Sequence, residues 1–320
     1  MAESSITLTG TRAPRVLSRE EEFAKRKPRT LWSDAWNKFR RHRTAMLGVF
    51  ILLLFMTSVL VGPFVYPRSP SKLDFGSSSL LPSAEHPFGT NQLGQDQLAR
   101  ALTGGRISIA VGIVAMLVAI FLGILIGSVA GFFGGAIDAW LMRLTELFLS
   151  LPVLPVLIMT IYLFRDPLRA AFGLSMGVFL LMVLLIGLFN WMAVARVVRA
   201  SFLSLKQKEF VEAAHCLGVP TRSIIFRHIL PNVLSPVIVA ATLAVGEAIV
   251  TESTLSFLGL GFPPDFPTWG RMLFDAQDYL SQYPHIALIP GALIFLTVLS
   301  INYVGDGLRD ALDPRSLLKS

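Results

Sequence analysis

Residues 107–130 read ISIAVGIVAMLVAIFLGILIGSVA, a run of 24 residues that contains no charged side chain. About 20 helical residues are enough to cross the hydrocarbon core of a bilayer. Only helices and closed barrels satisfy every backbone hydrogen bond in lipid, and this run lacks the polar–apolar alternation of a barrel strand. The stretch therefore predicts a transmembrane helix.

Five further apolar blocks of similar length follow the same pattern. Hydrophobic residues make up 53% of the 320 residues and charged residues 15%, with a mean hydropathy of +0.62. A soluble domain usually carries about 25% charged residues. We expect an all-α membrane protein with six transmembrane helices. The five further blocks are 44–66, 139–164, 174–195, 233–259 and 286–304.

The basic residues indicate how these spans are oriented. When the six spans are threaded in order, 21 of the 28 lysines and arginines fall on one side, which the positive-inside rule places in the cytoplasm. Both termini and the connection between the fourth and fifth spans are then cytoplasmic, and 67–105 is an external loop. The net charge of +7 mostly reflects this topology, so we expect the lipid bilayer as a partner and no nucleic acid.

The segment before the first span divides into two parts. Residues 1–30 are polar, charged and proline-containing, which predicts a disordered cytoplasmic tail. In 31–43, Trp32, Trp36 and Phe39 fall on one helical face beside a basic cluster. This pattern is typical of an amphipathic helix in the membrane interface, and an ordinary basic juxtamembrane stretch is the alternative.

A polar segment between the fourth and fifth spans, 212–231, reads EAAHCLGVPTRSIIFRHILP. Good helix formers precede Gly218, which can adopt the left-handed conformation that ends a helix. Thr221 can cap a second short helix, which we expect to stop at Pro231. Two short helices joined by a sharp turn make a compact element that suits a groove on a partner.

The spacing within this segment resembles that of a known family. The Glu-Ala-Ala triplet from Glu212, the turn at Gly218 and the Leu-Pro pair ending at Pro231 resemble the cytoplasmic coupling loop of bacterial ABC importer permeases. Other stretches are similar to permeases of the dipeptide, oligopeptide and nickel group, except that Gln95 stands where that group usually has arginine. These stretches are HPFGT at 86–90, LSFLGLG at 255–261 and GDGLRDALDP at 305–314.

This resemblance implies the architecture of a type I ABC importer permease. A five-helix permease core would span 106–304, with a coupling loop at 205–231 and a cytoplasmic tail at 305–320. The coupling loop would dock onto an ATPase subunit. The ATPase-docking residues implied by the resemblance are Glu212, Ala213, Ala214, Gly218, Arg222, Arg227 and Pro231.

The chain contains no Gly-Lys pair, and hence no G-x-x-x-x-G-K-[ST] phosphate loop. We expect a non-catalytic subunit without catalytic, cofactor or metal residues, with ATP bound by other chains. The resemblance implies a second homologous permease, two ATPase subunits and an external substrate-binding protein as partners in the cell inner membrane. It implies di- or oligopeptides as the substrate, and leaves nickel, glutathione and other small oligomers open.

The fifth span carries two carboxylates. Glu247 lies near its middle, and Glu252 lies nearer the outer end beside Thr251. Ionisable groups at such depth face a protein interior or a water-filled cavity. They would either line the translocation path, where they could meet a peptide amino terminus, or form buried hydrogen bonds to another helix. The alternative function is a self-contained secondary transporter or channel with Glu247 and Glu252 as its proton or cation site.

Small residues and prolines predict local features of the second and third spans. Gly123 and Gly127 stand four residues apart, a spacing that allows close helix contact in lipid, so we expect a helix seam there. Pro152 and Pro155 each remove a backbone donor, and we expect them to kink the third span.

Two remaining features have structural explanations. Arg143 and Glu146 stand three residues apart at the start of the third span, which predicts an ion pair. His86 is a single histidine that follows Glu85, which predicts a surface or turn role in preference to a metal ligand.

Overall fold

The structure, a computed structural model, describes residues 31–313. The tail predicted at 1–30 lies outside the described residues, as does the end of the tail predicted at 305–320. Within 31–313 the regular elements are helices. They are α1 (Leu31–Arg41), α2 (Arg43–Val65), α3 (Gln97–Phe133), α4 (Gly135–Ser150), α5 (Val153–Phe172), α6 (Leu174–Lys206), α7 (Glu209–Cys216), α8 (Thr221–Phe257), α9 (Trp269–Ala276) and α10 (His285–Leu312).

Five of these helices are long and apolar enough to cross a membrane: α2, α3, α6, α8 and α10. The pair α4 and α5 passes the same test together, as one broken span bent by 87°. The prediction of an all-α membrane protein with six transmembrane helices is confirmed. At 37 residues, α3 is about 55 Å long, since a helix rises about 1.5 Å per residue, so it extends well beyond the hydrocarbon core.

The centre of the bundle is the contact between α3 and α6, against which α5 and α8 pack. Of the most apolar part of α6, 61% is buried inside the chain, whereas the corresponding value for α2 is 17%. α6 is therefore a central helix and α2 a peripheral one. The core cluster combines Val111 of α3, Leu157 of α5, Met182 of α6 and Leu255 of α8, with Phe262 from the loop that follows α8.

The third span is broken, which corrects the prediction of one kinked helix over 139–164. α4 ends at Ser150 and α5 begins at Val153. Leu151 is extended, as expected for a residue before proline, and Pro152 lacks the N–H that would continue the helix. Pro155 lies in the first turn of α5, where a proline leaves no backbone partner unsatisfied. Only Pro152 therefore breaks the span.

Other helix ends also differ from the predicted bounds. α3 begins at Gln97, inside the predicted external loop 67–105, because the Asp96 carboxylate caps it by accepting a hydrogen bond from Ala99 N at 2.8 Å. α10 continues to Leu312, into the segment predicted as the tail 305–320.

α1 packs onto the end of α10 as well as lying beside α2. Phe39 is buried and lies against Gly307, where an added Cβ would come within 3.1 Å of its ring. Trp36 stacks on Phe39 with 6.0 Å between ring centroids and is itself 58% exposed. The expectation that Phe39 is a membrane-interface anchor is therefore wrong, since this ring faces the protein. Trp36 keeps the free face that an interfacial role requires.

Candidate functional site

The segment predicted to dock onto an ATPase forms a small folded unit, 209–231, which we call the docking module. It starts with α7, turns at Gly218 and continues into the first residues of α8. Gly218 has a φ of +73°, and no heavy atom lies within 4 Å of an added Cβ. Glycine is therefore suited to this position by its backbone conformation and not by lack of space. Two hydrogen bonds close the turn, from Gly218 N to His215 O and from Val219 N to Ala214 O.

One face of the docking module is anchored to the membrane helices. Val211, Ile224 and Ile229 are completely buried. They share one cluster with Val198 and Phe202, near the end of α6. Fully burying an aliphatic side chain of this size contributes about 1.5–3 kcal/mol, so this apolar face holds the module firmly to α6. Ala214 also belongs to this inner face, and it therefore presents no side chain for docking.

The opposite face of the docking module is exposed. Glu212, Ala213, Gly218, Arg222 and Arg227 are all exposed. Three large apolar side chains lie among these predicted docking residues, and sequence reasoning missed them. They are Phe210 (43% exposed), Leu217 (83%) and Phe226 (61%). A polar segment that exposes large apolar side chains so strongly has the composition of an interaction surface.

Pro231 does not end the second helix, which corrects that prediction. α8 runs without interruption from Thr221 to Phe257. Its residues Ile224–Ile229 form a π-helical segment, a wider turn that can accommodate the proline ring and its missing donor. Asn232 Nδ2 donates a hydrogen bond to the His228 carbonyl at 2.7 Å. Thr221 likewise does not cap the helix, because Pro220 occupies the cap position.

Two polar contacts fix the end of α6, which leads directly into the docking module. Arg199 forms a bidentate ion pair with Asp138 in the first turn of α4. Lys206 Nζ donates to the Phe132 carbonyl at the end of α3, at 2.7 Å. The end of α6 that precedes the module is thus joined to both α3 and the first half of the broken span. The ion pair predicted between Arg143 and Glu146 is absent from the described residues, where both side chains are exposed and more than 4.0 Å apart.

Within the membrane, Glu252 lies in the interior of this chain. It is completely buried. Its Oε1 accepts a hydrogen bond from Ser256 at 2.7 Å, and its Oε2 accepts one from Ser108 of α3 at 3.2 Å. Ser108 in turn accepts from Trp269 N at the start of α9. The carboxylate therefore connects α8 to α3 and α9, and it faces no open surface of the chain.

Glu247 and Thr251 lie on a different face of α8. Glu247 is exposed on the surface of the chain, and Thr251 is half-buried one turn further along. The Thr251 hydroxyl donates its proton to the Glu247 backbone carbonyl at 2.8 Å, so that proton is not available to the Glu247 carboxylate. The three residues predicted for the translocation path are therefore split between an outward face and the core.

Gly123 and Gly127 both lie against α6. A Cβ at Gly123 would be 2.6 Å from Val194 Cβ, and one at Gly127 would be 2.5 Å from the Ala195 carbonyl oxygen. Real Cβ atoms do not approach other atoms this closely, so the glycines are what permits the short distance between the two helices. Both lie on the face of α3 that contacts α6 within the same chain.

At the start of α3, Asp96 contacts several side chains. Its Oδ2 accepts from the Tyr66 hydroxyl at 2.7 Å and lies 2.8 Å from His86 Nδ1. Burial, together with the hydrogen bond to Asp96, raises the pKa of Tyr66 to about 12, so its hydroxyl stays protonated and remains a donor. His86 thus takes part in a turn that closes the loop between α2 and α3. Among residues 31–313, no group of three or more His, Cys, Asp and Glu side chains could hold a metal ion.

Comparison with known proteins identifies the family. A family model described as "Binding-protein-dependent transport system inner membrane component" matches residues 123–317, and one described as the N-terminal TM domain of oligopeptide transport permease C matches residues 30–82. The chain belongs to the family of binding-protein-dependent transport system inner membrane components. The resemblance predicted from the coupling loop is confirmed.

Individual relatives match along most of their length. The chain is 39% identical to the oligopeptide transport system permease protein OppC of Haemophilus influenzae over 289 residues, which is 90% of this chain and 89% of the relative. It is 38% identical to the dipeptide transport system permease protein DppC of Bacillus subtilis over 299 residues, covering 93% and 90%. It is 36% identical to the glutathione transport system permease protein GsiD of Pectobacterium atrosepticum, covering 90% and 92%.

A solved structure has the same fold. An inward-facing form of the MetNI methionine ABC transporter matches 66% of this chain and 94% of its own, with a TM-score of 0.54 and 17% identity. This likeness supports the type I importer permease architecture. Together with the relatives, it makes the chain a non-catalytic, multi-pass permease subunit of an ABC importer, which works with separate ATPase subunits and a binding protein.

Proposed function

We propose that this chain is one of two homologous permeases in an importer of di- or oligopeptides, with its termini and docking module in the cytoplasm. The module would be the docking site for one of two ATPase subunits. These subunits, and not this chain, would bind the ATP. The relatives named for oligopeptide and dipeptide transport support the substrate class. Nickel and glutathione are the competing substrates, and one relative is named for glutathione transport.

The outer face of the docking module is the observation that carries this proposal. Leu217 and Phe226 expose apolar surface, and Glu212, Arg222 and Arg227 are exposed within the same short module. Apolar anchors surrounded by charged residues are the usual composition of a protein–protein contact. The opposite face is anchored to α6, so a movement of the bound ATPase subunit would be transmitted to the membrane helices.

The self-contained transporter is less consistent with the geometry. It requires Glu247 and Glu252 to act together as one proton or cation site. These carboxylates lie on different faces of α8. The Glu252 carboxylate already accepts hydrogen bonds from Ser108 and Ser256. Glu247 alone is available to line a path. We propose that it meets the positively charged amino terminus of the peptide, with Thr251 beside it.

Docking is tested by co-purification of the ATPase subunits with the complete complex in mild detergent. Leu217→Glu and Glu212→Ala should each weaken retention of the ATPase and uncouple its hydrolysis from peptide uptake. Loss of a central apolar anchor costs about 2 kcal/mol or more, roughly a 30-fold loss in affinity. Arg309→Gln is the control, because Arg309 is exposed near the end of α10 and outside the module. Full retention and coupled uptake in both module variants would refute the proposed docking.

The substrate class is tested separately with the intact complex. Uptake of a labelled dipeptide and a labelled tetrapeptide is compared with uptake of labelled nickel and glutathione. We expect competition among the peptides and none from nickel. Transport of nickel without transport of either peptide would contradict the proposed substrate.

A further inference from the structure

The external ends of the helices carry an unusual arrangement of arginines. The positive-inside rule disfavours basic residues on this side, yet Arg100, Arg165, Arg169 and Arg271 all lie there by the predicted topology. Two of them are paired, since Arg100 and Arg271 share the carboxylate of Asp275, each with its own oxygen, at 2.7 and 3.0 Å. Both oxygens of that carboxylate are therefore already engaged by arginines.

Arg165 and Arg169 have no such partner. They stand one helical turn apart near the end of α5, and within residues 31–313 no carboxylate oxygen lies within 4.0 Å of either guanidinium. The Nε atoms of both are buried without a hydrogen-bond partner. The polar contact that Arg165 makes is a long one, from Nη2 to the Gly261 carbonyl at 3.5 Å. Two like charges that are partly removed from water without counter-ions are costly.

The surroundings of the pair are also positive. Arg165 is in electrostatic range of Arg169 and Arg271, and Asp166 is the acidic residue that acts on it. Arg165 and Arg271 come close to each other because Gly261, in the loop after α8, and Gly270, at the start of α9, both pack against Ser256. Gly270, which precedes Arg271, therefore lies against the same part of α8 as Gly261, whose carbonyl Arg165 contacts.

We propose that Arg165 and Arg169 form a binding site for the C-terminal carboxylate of the transported peptide, at the external end of the permease. This inference rests on the proposed function, in that it names a subsite for the peptide. An arginine pair can hold a carboxylate through charge-assisted, bidentate hydrogen bonds. Every linear peptide has this carboxylate whatever its sequence, so a fixed positive site suits a substrate class with variable side chains.

Half-burial of the arginines favours a small anion as the occupant. Both residues are half-buried, and their Nε atoms are inaccessible, so a narrow group such as a terminal carboxylate can reach the guanidinium heads more readily than a broad protein surface can. Glu247 on α8 has the opposite charge, which would suit the other end of a zwitterionic peptide. The two ends of the substrate would thus be recognised by two separate elements of the chain.

The experiment compares a peptide with a free C terminus and the same peptide with a C-terminal amide. Uptake kinetics are measured for the complete importer reconstituted in proteoliposomes. The wild-type chain is compared with the Arg165→Gln and Arg169→Gln variants. The binding protein is unchanged in all of them, so a change in preference arises in the permease. We expect kcat/KM for the free acid to fall roughly 10- to 100-fold, as for loss of a charge-assisted hydrogen bond, down to the value of the amide.

Controls separate this effect from folding and from net charge. Lys72→Gln removes an exposed external charge from the loop and should leave the ratio of free acid to amide unchanged. Arg165→Lys retains charge without the guanidinium fork and should restore part of the uptake. Abundance of each variant in the membrane is measured to normalise the rates. Peptide uptake by the wild-type chain tests the proposed function independently of these variants.

Two results would overturn the inference. Equal losses for acid and amide, or no loss for either, would mean that the arginines do not read the carboxylate. A loss that appears only in liposomes containing anionic lipid would identify a lipid phosphate as the occupant. The proposed site is supported if both glutamine variants, in neutral lipid, take up the free acid only as well as the amide.

Discussion

Arg199 on α6 donates hydrogen bonds to both carboxylate oxygens of Asp138 on α4, the one to Oδ2 at 2.6 Å. Asp138 lies in the first turn of its helix, where the exposed backbone N–H groups also favour a negative charge. The pair connects the first half of the broken third span to the helix that carries the docking module. We therefore expect a displacement of the module to act on α4 as well as on α6.

Asp138→Asn should lower the thermal stability of the purified permease. It leaves Arg199 half-buried without a charged partner, which costs about 1–3 kcal/mol. The melting temperature in detergent is the measurement. Glu146→Gln is the matched control, since Glu146 is exposed on the same helix without an ion pair. Equal melting temperatures for the two variants would show that the Arg199 pair contributes no stability.

Gly127→Ala should destabilise the contact between α3 and α6. Its Cβ would lie 2.5 Å from the Ala195 carbonyl oxygen, and an overpacked site of this kind costs about 1–3 kcal/mol. Gly246→Ala, in α8, is the control, because its Cβ would meet Val298 at 3.6 Å, an ordinary contact. Alanine has the higher helix propensity by about 1 kcal/mol, so the control variant should be neutral or stabilised. Folded yield and melting temperature distinguish these outcomes, and a stabilised Gly127→Ala would exclude a tight seam.

The sequence predicts the number of spans because each apolar block is long enough to cross a bilayer, and this needs no knowledge of packing. It cannot tell which proline breaks a helix. Pro152 and Pro155 look alike in sequence, but only Pro152 has a full turn of α4 before it that must be interrupted. Pro231 stays inside a continuous helix because the π-helical segment before it gives the backbone room.

The sequence likewise predicts part of the candidate site, namely which residues share a helix face, but not which face is buried. Spacing alone separates the faces of Glu247 and Glu252, since five residues along a helix rotate by about 140°, whereas Thr251 falls near the face of Glu247. Which face is buried depends on Ser108 and Trp269, which come from distant parts of the chain. The exposed apolar residues Leu217 and Phe226 were missed for the same reason, because their exposure depends on how the module packs against α6.

The two carboxylates of α8 should respond differently to substitution. Glu252→Ala leaves the buried hydroxyls of Ser108 and Ser256 without their acceptor, at a cost of about 1–3 kcal/mol for each unsatisfied group. We expect low abundance in the membrane, and a milder defect for Glu252→Gln, whose amide oxygen can still accept. Glu247→Gln changes an exposed side chain, so we expect normal abundance with reduced peptide uptake. Immunoblots of membranes, read beside uptake rates per folded complex, give both quantities. Normal abundance of Glu252→Ala with abolished uptake would instead place Glu252 in the translocation path.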